Sequence, residues 1–278
     1  MTSRDWQADR RAVFDRDDRA CRHCETTGDD ADTTAFRTYP VGAVPLEGTV
    51  HKSSLATVCP DCFETLRFAS DGSASPAESV SSEELFQLVR ETTRVQGGAI
   101  SDVASFASLA TSLPTTLAAV GTTADAGDDS ESTVAETAAA YRDGRREALL
   151  ALDVADARLE RVRAVDGTAF DADVRSSLST VAETATDLQS TLREAVVRSE
   201  IVPVCLERCH GCFEPLEGET CSTCGLEARE TVDWRGDEGE IAFERLFSSI
   251  NDSLQGASTT TETLTDHTMT LASQLTES

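Results

Sequence analysis

Eight of the nine cysteines stand in four C-x-x-C pairs, two near each end of the chain. Two thiolates with this spacing can bind one metal ion, and two such pairs complete a tetrahedral Zn²⁺ site with no open position. The pattern therefore predicts two structural zinc sites. The predicted ligands are Cys21, Cys24, Cys59 and Cys62 in the first site and Cys209, Cys212, Cys221 and Cys224 in the second.

The ninth cysteine, Cys205, leaves one alternative open in the second site, because it could replace Cys209 as a ligand. The spacing of Cys209 and Cys212 is the better one for a shared metal. Only eight residues separate the two pairs of this site, which is typical of a compact zinc ribbon with two knuckles. Gly211 and Gly225 suit the tight turns that direct backbone N–H groups toward sulfur. The alternative for the first site is four free thiols.

Targeting signals are absent from the sequence. No secretory signal is recognisable, and no apolar run approaches the roughly 20 residues of a membrane span. We therefore expect a cytoplasmic protein with no membrane partner. In that compartment nine cysteines favour metal binding over disulfides.

The composition is strongly acidic, with 50 acidic and 24 basic residues and a net charge of −26. It resembles that of cytoplasmic proteins from salt-in halophiles, such as halophilic archaea. An acidic disordered chain is the competing interpretation, and the helical periodicity described below argues against it. Residues 1–70 are close to neutral, with 9 basic and 12 acidic groups. The overall charge removes most of the counterion-release drive for binding nucleic acid.

The residue pattern around and between the cysteine pairs predicts a mainly α protein with two small zinc modules. The first module, at 1–70, is expected to be of the ββα type, with a hairpin in 33–58. Gly97-Gly98 is expected to interrupt the next helical segment. The predicted divisions after the first module are short helices at 81–120, an antiparallel helical hairpin at 131–200, a zinc ribbon at 203–235, and a long amphipathic helix at 240–278.

Apolar residues in the second half follow alternating steps of four and three residues, with a period near 3.5. The step runs from Ala148 to Val162, from Val174 to Ala195, and from Phe243 to Leu275. This period is the coiled-coil pattern, and a short turn around Asp166 makes the first two segments antiparallel neighbours. We expect the last helix to complete a three-helix coiled bundle within the chain. Pairing with a second copy in a dimer is the alternative.

The first cysteine group sits in a longer frame. Arg11-Ala-Val-Phe-Asp-Arg-Asp precedes Cys21-Arg-His-Cys24, and Ser54-Leu-Ala-Thr-Val-Cys59-Pro-Asp-Cys62-Phe63 follows. In order, spacing and flanking residues, about residues 4–68 resemble the zinc-stabilised type of HNH endonuclease. The resemblance implies a hairpin and a helix held by one structural zinc, with catalytic residues on the hairpin and after the last cysteine.

The catalytic residues of that family are missing here. The segment 36–40 has no histidine where the family has a His dyad, Ser54 stands at the position of an Asn, and Phe63 at that of a metal-binding His. His51 lies outside the family's ligand positions. We therefore predict no catalytic residue and no cofactor other than zinc. The hypothesis is a degenerate HNH-like module in a protein that binds or regulates a nucleic acid or another protein. An active Mg²⁺-dependent HNH endonuclease and a structural or signalling coiled scaffold are the alternatives.

An arginine cluster at the start of the chain is the candidate surface for DNA or RNA, because guanidinium groups pair bidentately with phosphate. Acidic residues interleave with it, so local ion pairs at i,i+4 spacing are the alternative. The coiled helices are the candidate contact with a protein partner or a second copy. The arginines are Arg4, Arg10, Arg11, Arg16, Arg19 and Arg22.

Overall fold

The computed structural model describes residues 6–27, 36–42, 50–70, 80–122, 127–236 and 238–277. Within these ranges the protein is mainly helical, as predicted, with one two-stranded sheet. The helices are α1 (Trp6–Arg16), α2 (Pro60–Ser70), α3 (Ser82–Thr122), α4 (Gly127–Arg163), α5 (Ala172–Cys205) and α6 (Phe243–Glu277). The strands are β1 (Arg37–Pro40) and β2 (Leu55–Val58), and short 3₁₀ turns cover Lys52–Ser54, Gly167–Ala169 and Val232–Trp234.

The four long helices, α3 to α6, pack together and bury most of the apolar side chains of the described residues. Helix α3 contacts each of the other three. Helix α5 runs antiparallel to α4, because Gln189 meets Leu152 while Glu200, later in α5, meets Arg145, earlier in α4. A short connection through the turn Gly167–Ala169 joins the two helices.

The apolar stripes predicted for 131–200 lie in this core. One face of each helix is buried there, and the opposite face stays polar, as expected for amphipathic helices. Among the described residues no helix is long and apolar enough to cross a bilayer. The buried stripe residues are Ala148, Leu152, Ala155, Leu159 and Val162 in α4, and Val174, Leu178, Val181, Ala185, Leu188, Leu192 and Ala195 in α5.

Helix α6 packs on α5 and α3 of its own chain. It buries Ile250, Leu264 and Leu271 along the stripe that runs from 243 to 275. Threonine has a low helix propensity, and most threonines of α6 donate to the carbonyl four residues earlier, as Thr261 does to Ala257 at 2.8 Å. Those bonds satisfy the hydroxyls within the helix itself.

Helix α3 differs from the prediction of short helices at 81–120. It continues through Gly97, Gly98 and Pro114 as one helix. Each glycine costs about 1 kcal/mol relative to alanine inside a helix, but the buried Val95 and Val103 on either side fix the segment against the core. The bundle therefore has a fourth long helix, which the expectation of three helices omitted.

Side-chain caps fix the start of two long helices. A capping box begins α3, since Glu84 accepts from the Ser81 N–H at 2.8 Å and its own N–H donates to the Ser81 hydroxyl at 3.3 Å. At α5, Asp171 accepts from the Val174 N–H at 2.9 Å. Each cap satisfies a backbone donor that the first helical turn leaves unpaired.

The first module, predicted at 1–70, contains α1, the strand pair and α2. The strands are antiparallel, with Arg37 opposite Val58 and Pro40 opposite Leu55. Helix α2 packs on α4, and the apolar side chains of the module join the same core as the bundle. Residues 43–49, between the two strands, and residues 71–79, after α2, lie outside the described residues.

Candidate metal centres

Residues 206–228, called the ribbon below, carry the second cysteine group and form two knuckles with the same backbone geometry. In the first, the Phe213 N–H donates to the Cys209 carbonyl at 2.9 Å, and in the second the Gly225 N–H donates to the Cys221 carbonyl at 2.9 Å. Phe213 and Gly225 both adopt positive φ, at 66° and 76°. This turn brings the two cysteines of each pair to the same side of the chain.

The glycines predicted to serve these turns have different roles. The Gly211 N–H donates to the Cys209 sulfur at 3.3 Å, as predicted. A Cβ at Gly211 would meet Leu226 Cδ1 at 2.3 Å, so any other residue here would require the Leu226 side chain to move. Gly225 instead takes the left-handed backbone conformation that glycine adopts at low cost.

The first site repeats the knuckle once and uses a helix for its other half. The Glu25 N–H donates to the Cys21 carbonyl at 2.9 Å, and Glu25 has φ 58°. Cys59 follows β2, and Cys62 lies in the first turn of α2, whose Phe63 N–H donates to the Cys59 carbonyl. Strand pairing and helix formation, rather than a second knuckle, therefore place the last two sulfurs.

All eight predicted cysteines form two groups of four, and within each group the Sγ atoms lie within 4.8 Å of one another. The Sγ atoms are 3.4 Å apart for Cys209 and Cys224, 3.5 Å for Cys212 and Cys221, and 3.7 Å for Cys24 and Cys59. Zn–S bonds of about 2.3 Å in a tetrahedron require Sγ atoms about 3.8 Å apart. A disulfide requires about 2.05 Å, and all nine cysteines are free. The two groups are thus consistent with two zinc sites.

The acidity of the thiols fits the same interpretation. Hydrogen bonds from Cys212 and Cys224 lower the pKa of Cys209, while donation to Cys209 raises the pKa of Cys224 to about 12. In a group of four adjacent thiols, one therefore ionises readily, and its negative charge opposes ionisation of a second. A divalent cation removes that repulsion, and metal binding requires deprotonated sulfurs.

The remaining cysteine and two histidines near the sites are not in these groups. Cys205 ends α5, half-buried and outside the four sulfurs that include Cys209. His210 is buried, and its carbonyl accepts from the Tyr141 hydroxyl at 3.0 Å. His23 is half-buried beside the first site.

Arg16, one of the arginines predicted as a nucleic-acid contact, is held inside the first module. It forms a bidentate ion pair with Asp17 at 2.7 and 2.8 Å and donates to the carbonyls of Lys52 and Leu55. Burial opposes ionisation of Asp17, but the bonds from Arg16 and from the Thr57 N–H hold its pKa below the ordinary value. This pair ties α1 to β2.

Two further arginines of the cluster also have partners within the protein. Arg10 donates to the Phe36 carbonyl at 2.9 Å and lies 5.0 Å from the centre of the Phe14 ring. Arg22 pairs with Glu147 of α4 and so connects the first knuckle to the bundle. Both are placed to stabilise the fold.

The exposed members of the cluster among the described residues are Arg11, Arg19 and Arg22, of which Arg22 is held by its pair with Glu147. Arg11 makes a 3.4 Å contact with the Gln7 carbonyl in its own helix. Arg19 lies 3.5 Å from Asp15, at the i,i+4 spacing of the ion-pair alternative. Arg4 lies outside the described residues.

A buried carboxylate attaches the first module to α4. Asp153 accepts from the Gly42 N–H at 2.7 Å and pairs with Arg193 of α5 at 3.0 Å. Its side chain is 8% exposed. Burial raises the pKa of Asp153 to about 6, because the contributions of Gly42 and Arg193 offset only part of the desolvation.

A second buried carboxylate attaches the ribbon. Glu200 of α5 pairs with Arg145 of α4 at 2.7 Å and with Arg229, just after the second knuckle, at 2.8 Å. Burial opposes its ionisation, but Arg145, His210 and Arg229 hold the pKa of Glu200 below the ordinary value. Tyr141 and Arg142 of α4 donate to the carbonyls of His210 and Cys212.

These attachment residues were missed by the sequence analysis. Asp153, Glu200 and Arg145 are charged residues within helices whose other faces are polar, and nothing in a single sequence marks them as buried. Both modules thereby meet α4, the ribbon around 141–145 and the first module around 147–153.

Comparison of the chain with protein-family models, with curated proteins and with solved structures finds no match. The function is therefore inferred from the residues of the two cysteine groups and from the elements that they hold in place.

Proposed function

We propose that this chain is a zinc-binding protein in which two structural zinc ions hold two small modules on one helical bundle, and that it acts as a binding or regulatory protein. The observation that carries the proposal is the pair of four-sulfur groups with separations suited to a tetrahedral ion. Four protein ligands leave no open position for a water molecule, so zinc in these sites serves structure rather than hydrolysis.

In this proposal the first module is a degenerate relative of the HNH endonucleases. Its support is the order of knuckle, strand pair and helix, with the last cysteine in the first helical turn. Tyr39 on β1 is buried, and Phe63 offers no metal ligand. A hydrolytic site would need a base with a pKa near neutrality and a metal-binding group at such positions.

The proposed partner of the first module is a nucleic acid. The exposed Arg11 and Arg19 on and after α1 support this assignment, because neither is held in a bidentate pair with a buried carboxylate as Arg16 is by Asp17. A protein partner is the alternative outcome. The active endonuclease is tested directly by incubating plasmid DNA with the protein and Mg²⁺ or Mn²⁺ in molar KCl, where we expect no cleavage.

Native mass spectrometry of the whole chain tests the zinc sites and reports the number of chains at the same time. We expect two zinc ions per chain, and one after either Cys59→Ser or Cys221→Ser. Cys205→Ser is the matched control and should retain both ions, because Cys205 lies outside the sulfur group. Unchanged zinc content in Cys59→Ser or Cys221→Ser would overturn the assignment.

A further inference from the structure

The first module, helix α4 and the zinc ribbon together enclose a cleft with a volume of about 600 Å³. This volume falls within the range of sites that bind small ligands, about 300–1,000 Å³. The first module contributes Arg16 and Lys52, α4 contributes Arg142 and Arg146, and the ribbon contributes Glu214. The cleft therefore exists only where all three parts meet.

The charge of the cleft is opposite in sign to that of the chain. Four cationic side chains line it against two carboxylates, Asp143 and Glu214, whereas the whole protein carries −26. Lys52 is also the only lysine in the sequence. A local excess of cations in so acidic a protein indicates a site for an anion.

The four cationic side chains differ in how many of their hydrogen-bond donors are already taken by partners within the protein. Arg16 is held by Asp17 and two carbonyls, and Arg146 is buried and paired with Asp143. Burial, together with the neighbouring Arg16 and Arg142, lowers the pKa of Arg146 to about 9.

Lys52 and Arg142 are the cations best placed to receive a ligand. Lys52 is exposed, and within the described ranges its ammonium group has no carboxylate partner. Arg142 donates to the Cys212 carbonyl at 3.2 Å and keeps further N–H groups of its guanidinium for another acceptor.

We propose that this cleft binds a phosphate group, carried by a nucleotide or by a nucleic-acid strand, with Lys52 and Arg142 as its direct contacts. Phosphate oxygens accept charge-assisted hydrogen bonds from both side chains. The site is distinct from the surface of α1 that carries Arg11. The proposal rests on the proposed function in one respect, because two walls of the cleft belong to the zinc modules.

Lys52 provides a direct test, because an amine-reactive acetylating reagent has only one lysine to modify. Zinc-loaded protein is acetylated alone, with adenosine 5′-monophosphate, with a short single-stranded oligonucleotide, and with adenosine. We expect both phosphate-bearing probes to slow acetylation of Lys52 by about tenfold, the effect of one charged hydrogen bond, while the α-amino group reacts at an unchanged rate. Protection by the mononucleotide alone or by the oligonucleotide alone supports the proposal and identifies the source of the phosphate.

Absence of protection by both phosphate probes, or equal protection by adenosine, would overturn the proposal. Zinc content is measured on the same samples. Two bound zinc ions without protection reject the cleft and leave the proposed function standing, whereas absence of zinc rejects both.

Variants separate phosphate binding from a role of Arg142 in balancing charge, since four thiolates and one Zn²⁺ leave the ribbon site with about two negative charges. We expect Lys52→Gln and Arg142→Gln each to weaken mononucleotide binding in calorimetry by about tenfold or more. Arg94→Gln, an exposed arginine of α3 with the same change of charge, should bind as the wild type does. Unchanged binding with reduced zinc content in Arg142→Gln would show that this arginine serves the metal site, against the proposal.

Discussion

The two cysteine modules reach the same four-sulfur geometry with very different amounts of apolar packing. In the first module Tyr39, Ala56, Val58 and Leu66, on β1, β2 and α2, belong to the main core of the protein. In the ribbon Phe213, against the Tyr141 ring, is the one buried side chain other than cysteine in that core or in the local cluster, which consists of Cys209, Cys212 and Cys221. One module is therefore built into the core, and the other contributes a single buried ring to it.

This difference in apolar packing indicates how far the fold of each module depends on its metal ion. Strand pairing, α2 and contact with α4 position Cys59 and Cys62 before any ion binds. We expect the ribbon, which has two tight turns, to depend on sulfur–metal bonds to fold, as small domains with little apolar area generally do. Contacts of His210, Cys212 and Arg229 with α4 and α5 attach it to the bundle but are polar.

Removal of zinc should have the largest effect and should act on the modules unequally. We expect a chelator to abolish hydrogen-exchange protection across residues 207–228, because a structural zinc contributes an apparent binding energy of about 10–16 kcal/mol that is also folding energy. Residues 55–66 should retain part of their protection through the shared core. Exchange measured by mass spectrometry on peptides from both segments gives the comparison, and equal loss in both would break it.

The anchor of the ribbon should have the next largest effect. Glu200→Gln leaves Arg145 buried without its counter-charge, and we expect a loss of about 3–5 kcal/mol in the free energy of unfolding. Glu194→Gln, on an exposed part of the same helix, removes only a surface pair with Arg198 and should cost less than about 1 kcal/mol. Urea titration of the zinc-loaded proteins measures both, and similar losses would show that the buried pair contributes nothing special.

The anchor of the first module should give a smaller effect that depends on pH. The pKa of Asp153 is about 6 in the folded protein, above the ordinary value of 3.8, so the folded state binds the extra proton. Its contribution to stability is therefore present at low pH and is lost as the pH rises through about 6. Between pH 5 and 7 the wild type should lose about 1 kcal/mol of unfolding free energy relative to Asp153→Asn.

The difference between the two proteins is the quantity of interest in that titration, because loss of zinc at low pH affects both equally. A wild type that gains stability relative to Asp153→Asn over this range would show that the carboxylate is ionised more easily in the folded state than in the unfolded chain.

The sequence predicted those parts of the fold that depend on period and spacing. The apolar stripes of α4, α5 and α6 repeat over several turns, and a repeat of that length and period indicates an amphipathic helix. Gly97 and Gly98 misled the prediction for α3, because a local preference of about 1 kcal/mol per glycine is smaller than the packing of a long buried face. Local signals yield to tertiary contacts in such places.

For the sites, the metal ligands were predictable and their surroundings were not. The role of a C-x-x-C pair as a metal ligand follows from its own spacing. The structural roles of Arg16 and Arg22 depend on their ion pairs with Asp17 and Glu147, which exist only in the folded protein. The five described arginines of the cluster therefore have different roles, some structural and some available at the surface, which composition cannot show. Burial of Glu200 and Asp153 depends likewise on which helices become neighbours.

Because both modules attach to one continuous helix, the length of α4 between the two attachment points fixes the distance between the modules. The stretch from Tyr141 to Asp153 sets their separation at about 18 Å along the axis, from a rise of about 1.5 Å per residue. Inserting a single residue within it would rotate one module about 100° around the rod relative to the other. The length of this stretch, more than the identity of its exposed side chains, is thus the property that natural variation in this protein is least free to change.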